Sequence, residues 1–153
     1  MRSPAAGAGL LALFLVVTLG GGMLIGLSNQ PGEWYADLTK ASFNPPDWAF
    51  PVAWTVLYIL IAVAGWRVFL ARARLPFGVW VLQLGLNFLW SPTFFGRHLI
   101  GPGLAILVAM LAAILVFIAV TWRRDRAAAL CFVPYAAWVA FAGLLNGSIW
   151  WLN

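Results

Sequence analysis

Five long stretches of the chain carry no charged residue: Ser3–Gly32, Trp48–Trp66, Leu75–Gly96, Leu99–Trp122 and Ala127–Asn153. Short polar stretches separate them. A helix needs about 20 apolar residues to span a bilayer, and each stretch is long enough. Single segments in lipid can satisfy all their backbone groups only as helices. The pattern predicts an all-α integral membrane protein, a bundle of five transmembrane helices in one domain, 1–153. The helices are expected at roughly 5–28, 51–71, 77–95, 102–122 and 127–150. A long structured loop, 29–50, joins the first two. The first stretch follows Arg2 and could pass for a secretory leader. However, its apolar part, Ala5–Leu27, exceeds the usual leader core of about 7–15 residues and no Ala-x-Ala site follows, so a retained helix is expected.

The polar positions inside the stretches keep helical spacing. Gln83, Asn87, Trp90 and Phe94 fall on one face of the third. Trp54, Tyr58, Ile61 and Gly65 share a face of the second, and Tyr135, Trp138, Ala142 and Asn146 an arc of the fifth. Amides facing lipid are costly, so these faces should point into the bundle. Two readings of them are open. Gln83 and Asn87 either hydrogen-bond neighbouring helices or touch a ligand; the aromatic faces either pack into a solid core or wall a pocket for a flat, apolar molecule. Pro92 should kink the third helix near its end. Gly22/Gly26 and Gly143/Gly147 permit close helix approach, read as internal packing.

Composition sharpens the class. Hydrophobic residues make up 64% of the chain, charged ones 8%, and the mean hydropathy is +0.95, so lipid must solvate much of the surface. Ten tryptophans suit both an interfacial belt and a stacking site. The lone Cys131 leaves no intrachain disulfide and no cysteine metal cluster. The net charge of +5 does not call for nucleic acid. If five helices alternate, Arg2, Arg67, Arg72, Arg74, Arg123, Arg124 and Arg126 fall on one side, with Lys40, Arg97, Glu33, Asp37 and Asp47 on the other. The positive-inside rule then puts the N-terminus in the cytoplasm, with the C-terminus and the long loop outside. α-Helical spans with this bias fit a bacterial inner membrane. No ionisable residue lies centrally in a predicted span, which argues against a proton-coupled pump. His98, beside Arg97, reads as an interfacial loop residue rather than a haem ligand. No metal site, Ser/His/Asp or Cys/His set, or phosphate loop is legible.

The stretch Phe43–Tyr58 organises the rest. Pro45 and Pro46 forbid helix and push Asn44 to extended geometry, while Pro51 suits a first helical turn. A stiff segment carrying Trp48 therefore runs into the aromatic face of Trp54 and Tyr58. The order of motifs resembles the TspO/MBR family, the tryptophan-rich sensory proteins that include the mitochondrial translocator protein. The matching pieces are Glu33-Trp34-Tyr35, then Asn44-Pro45-Pro46-x-Trp48-x-Phe50-Pro51-x-x-Trp54-x-x-Leu57-Tyr58. They continue with Gln83-Leu84-x-Leu86-Asn87-x-x-Trp90-x-Pro92-x-Phe94-Phe95-Gly96 and Pro134-Tyr135-x-x-Trp138-x-Ala140-x-Ala142-x-x-Leu145-Asn146.

The resemblance implies a five-helix bundle, commonly a homodimer, whose first loop closes a pocket for porphyrins and other hydrophobic ligands. Carried over by motif position, Trp34, Phe43, Asn44, Pro45, Pro46 and Trp48 belong to the loop that covers the pocket. Trp54, Tyr58, Asn87, Trp90, Trp138 and Ala142 line it, joined by Gln83 and Phe94 of the same helical face. It implies a receptor or sensor for a tetrapyrrole such as protoporphyrin IX, with no required cofactor. The alternatives are a light- and oxygen-dependent porphyrin-degrading enzyme using Trp138, or a transporter of such ligands. Two departures stand out. The family's loop often reads Lys-Pro-x-Trp where this chain has Lys40-Ala41-Ser42-Phe43, so an oxidisable indole is missing. Sterol as a ligand has no motif support, because no base follows Tyr135 closely.

Overall fold

The computed structural model describes residues 4–153 and is all-helical throughout them, without a strand. The first helix, α1 (4–28), joins Pro4–Leu15 and Gly21–Ser28 through a π-helical turn, Val16–Gly20. A short helix, α2 (Glu33–Asp37), lies within the first loop, where the sequence had suggested only irregular chain. Then come α3 (Ala49–Leu70), α4 (Arg74–Ser91) and α5 (Ile100–Thr121). The last helix, α6 (Arg126–Leu152), is interrupted by a turn at Phe132 between Arg126–Cys131 and Val133–Leu152. Pro134 explains the interruption, since it has no N–H to offer the carbonyl of Leu130.

Local chemistry sets the ends. Arg72 takes a left-handed φ of 53° and the N–H of Ala73 closes back on the carbonyl of Val68 at 3.0 Å, stopping α3. The Asp125 side chain accepts the Ala128 N–H at 3.0 Å and starts α6. Pro92 produces no sharp break; α4 instead continues into a π-helical turn, Pro92–Gly96.

Four helices are long and apolar enough to cross a membrane: Ala6–Ser28, Ala49–Leu70, Ile100–Thr121 and Arg126–Leu152. The fifth expected span, α4, falls short on hydropathy because Arg74, Gln83 and Asn87 dilute it. At most 33% of the apolar window in any of the four is buried inside the protein, so lipid must cover the remainder. Leu24, Val56, Leu82, Val108 and Leu144 are among the outward-facing apolar side chains. The protein is an integral membrane protein.

Helix α1 packs on α3, and its second half on α4; α4 packs on α5, α5 on α6, and the first turns of α6 on α3. The ring order is therefore α1, α3, α6, α5, α4. Its centre is filled by Ile61, Trp80, Met110, Phe117, Phe132 and Tyr135. Gly65 is what lets α4 approach α3, because a Cβ there would collide with the Trp80 indole. Gly22 likewise makes room for the Tyr58 ring. The pair Gly143/Gly147 makes no comparable approach: Gly143 faces open space, and Gly147 meets Leu104 only at 4.0 Å.

The charges separate by end, as the sequence implied. Arg67 Nε donates to both carboxylate oxygens of Asp125, at 3.0 and 2.9 Å, tying the α3–α4 and α5–α6 turns together. At the other end the Trp34 ring stacks on His98 at 4.2 Å, tying the first loop to the α4–α5 turn. Arg2, assigned by sequence to the arginine end, lies outside the described residues.

Candidate functional site

The faces singled out by spacing converge, but into two distinct zones. At mid-bundle a chain of hydrogen bonds crosses three helices. Tyr58 Oη donates to Asn87 Oδ1, Asn87 Nδ2 donates to Tyr135 Oη, and Tyr135 Oη donates to Gln83 Oε1, each at 2.8 Å. Gln83 Nε2 donates to the carbonyl of Trp80, whose own indole N–H reaches the carbonyl of Ile61 at 2.8 Å. Gln83 and Tyr135 are fully buried and Asn87 is 5% exposed. Of the two readings open for Gln83 and Asn87, the structure shows the interhelical one: their polar groups are spent within the bundle. Trp54 leans on Tyr58 and meets Tyr135 edge-on, at centroid distances of 5.5 and 6.4 Å.

Nearer the loop the character changes. Trp90 stacks on Phe94 at 5.4 Å, and Phe94 meets the rings of Trp34 and Tyr35 from α2 and Phe95 from its own turn. Trp138 meets Phe50 at 5.9 Å and Phe141 at 5.8 Å. Between these groups lies a cavity of about 30 Å³ lined by Tyr35, Phe50, Trp90, Phe94, Phe95, Ala142, Leu145, Asn146 and Ile149. Asn146 is held by the Ile100 carbonyl at 2.9 Å and receives the Trp90 N–H at 3.4 Å. The Trp138 N–H, by contrast, is buried with no hydrogen-bond partner. Such an orphan is costly in a packed interior and is ready to donate.

The first loop is fastened at several points. The Thr39 N–H donates to Asn153 Oδ1 and the Asn153 amide donates to the Thr39 carbonyl, both at 3.0 Å. Lys40 Nζ lies 4.5 Å from the Tyr35 ring centroid and also bonds the carbonyls of Ala36 and Leu38. Burial pushes the Tyr35 phenol above its ordinary pKa, with the Asn44 side chain opposing and the Asp47 carboxylate adding to the rise. It is therefore a neutral donor at physiological pH.

The expected site residues thus divide. Trp90, Phe94 and Ala142 line the cavity, and Trp34 and Trp138 pack around it. Trp54, Tyr58, Gln83 and Asn87 form the hydrogen-bonded floor. Phe43 is 53% exposed but touches the Phe141 ring, at 6.4 Å between centroids. Asn44 and Pro45 are half-buried, Pro46 is exposed and Trp48 is 69% exposed, facing away from the bundle. Tyr135 and Asn146 were legible on the α6 face but not carried into the expected site, where one is the hub of the floor and the other a wall. Phe50 and Phe95 stood in the quoted motifs with no role attached. Thr18, whose Oγ1 donates to the Tyr58 carbonyl at 2.9 Å, had no signal beyond being one hydroxyl in an apolar run.

The TspO/MBR family matches residues 12–152. The chain is 43% identical over 129 residues to protein CrtK of Rhodobacter capsulatus, covering 81% of each. It is 36% identical over 145 residues to a tryptophan-rich sensory protein of Cereibacter sphaeroides, covering 93% of this chain and 92% of that one. It is also 34% identical over 146 residues to a translocator protein of Bos taurus, covering 89% and 85%.

Proposed function

Since the chain belongs to the TspO/MBR family, we propose that it is a membrane receptor or sensor that binds a tetrapyrrole such as protoporphyrin IX beneath its first loop. The observation that carries this reading is the convergence of rings from the loop, α3, α4 and α6 on one narrow cavity. A macrocycle is flat, apolar on its faces and polar at one edge, so stacked indoles and phenyls suit it. The cavity of about 30 Å³ is far below the ~300–1,000 Å³ of small-molecule pockets, so the loop must swing aside to admit it. The unpaired Trp138 N–H supplies a donor for a ligand acceptor once the rings part. The rest of the reading follows family membership: five membrane-crossing helices, a homodimer, and an inner membrane with the N-terminus and the arginine end in the cytoplasm.

Titration of protoporphyrin IX into detergent-purified protein in the dark tests this by tryptophan quenching and the porphyrin spectrum. Saturable one-to-one quenching is expected, and Ala142→Phe, which fills the cavity, should abolish it while leaving the helical circular dichroism unchanged. Absence of saturable quenching in the parent protein refutes the reading. The position of Trp138, beside Phe50 with its N–H unpaired, favours one second reading: light- and oxygen-dependent porphyrin breakdown through that indole. Bleaching under illumination that is no faster with the protein than with Trp138→Phe dismisses it.

A further inference from the structure

The turn between α5 and α6 walls an open groove of about 490 Å³ lined by Trp122, Arg123, Arg124 and Arg126. A topology signal requires only that bases flank a span. Here three of them line one groove, and the Arg126 guanidinium lies 4.9 Å from the Trp122 ring centroid. That cation–π contact holds a base against an indole wall. The nearby carboxylate does not neutralise them, because Asp125 is engaged through both oxygens by Arg67 Nε and also caps α6. Among the described residues the remaining acids, Glu33, Asp37 and Asp47, sit in the first loop at the opposite end.

We propose that this groove holds the phosphate headgroup of an anionic phospholipid. Guanidinium forks match phosphate oxygens two at a time. The borders of the groove favour a lipid over a soluble phosphate. Leaving it, α5 exposes Leu115 and Val116 and α6 exposes Leu130 and Val133, an apolar strip that acyl chains would cover. Trp122, 39% exposed at the junction, sits where an interfacial indole belongs.

Native mass spectrometry of the full chain, titrated with phosphatidylglycerol or with phosphatidylcholine of the same acyl chains, tests the site. Phosphatidylglycerol should bind more tightly. R123Q/R124Q should weaken it by about 25-fold, taking about fivefold for each base near a membrane surface, with phosphatidylcholine unaffected. R72Q/R74Q removes the same charge from the same end outside the groove and should change it only a fewfold. R123K/R124K keeps the charge but loses the forks and should fall between. Equal losses in the two glutamine doubles would mean diffuse attraction and overturn the proposal, as would equal binding of the two lipids. Displacement of phosphatidylglycerol by millimolar inorganic phosphate would assign the groove to a soluble anion instead. If the glutamine double does not fold, the parent protein still decides: a lipid preference undiminished at about 0.5 M salt is not electrostatic and sinks the idea.

Discussion

Replacing Tyr135 by Phe removes one oxygen from the centre of the bundle and should cost more than any other single-atom deletion there. The ring contacts with Phe132 and Trp54 survive, since the phenyl group keeps its place. Two hydrogen bonds go, the one accepted from Asn87 and the one donated to Gln83, both at 2.8 Å. Met110 Sδ, 3.3 Å from the same hydroxyl, is a weak acceptor and loses little. Left behind are one amide N–H and one amide oxygen on residues no more than 5% exposed. Orphaned buried groups cost about 1–3 kcal/mol each, while interhelical hydrogen bonds in lipid average nearer 0.6 kcal/mol. Two orphans therefore put the loss at about 2 kcal/mol. Tyr58→Phe is the internal control, because it orphans only Asn87 Oδ1 at a half-buried site and should cost about 1 kcal/mol. The two tyrosines share Asn87, so their effects should not add. Reversible unfolding in mixed micelles measures all three variants. A Tyr135→Phe loss below about 0.5 kcal/mol, or a larger loss for Tyr58→Phe, would refute the view that a satisfied network holds α3, α4 and α6 in register.

Gly65→Ala should destabilise by about 1–3 kcal/mol through overpacking against Trp80, while Gly26→Ala, which faces open space, should be silent in the same assay. Asn153→Ala removes both bonds to Thr39, so amide hydrogen exchange across 33–44 should speed up while exchange in α5 stays put. The Asp125 carboxyl is raised by burial, but hydrogen bonds from Arg67 and the Ala128 N–H and the Arg67 charge outweigh this and hold it below its usual pKa. Its contribution is therefore full at neutral pH and is lost as pH falls below about 4. Because Arg67 is 40% exposed, the loss stays under about 1 kcal/mol, and a stability–pH profile that Asp125→Asn leaves unchanged between pH 5 and 3 would contradict it.

The helices were legible because lipid imposes a crude rule: an uncharged run of sufficient length has little choice but to be helical. That rule located α1, α3, α5 and α6 to within a few residues. It could not see α2, which is only Glu33–Asp37, nor the π-helical turn at Val16–Gly20, whose one polar side chain looks like any other hydroxyl. Helical spacing grouped Gln83 with Asn87 and Tyr58 with Trp54, yet spacing along one helix is silent about which neighbour answers across the gap. The hub role of Tyr135 exists only once α6 lies opposite α4. Trp48 shows the converse limit. Its place among prolines made it look like part of the covering loop's inner surface, whereas the same stiffness turns it outward.

The two zones of the interior divide the work of the fold. Every polar group on the floor formed by Tyr58, Asn87, Tyr135 and Gln83 is bonded to another helix or to backbone, so separating those helices would expose several orphans in lipid at once. The loop end is held differently. Trp34 on His98, Tyr35 on Phe95 and Phe50 on Trp138 are ring contacts, and the two Thr39–Asn153 bonds lie at an exposed site where water can replace them. Ring pairs are worth about 0.5–1.5 kcal/mol each beyond the area they bury, and a flat aromatic ligand restores such contacts as it displaces them. Opening at the loop end therefore leaves no buried polar group newly unpaired, and it gives the Trp138 N–H a first chance at a partner. The asymmetry makes the loop the moving part and the amide–phenol floor the fixed one, which is the division a receptor for a large planar ligand requires.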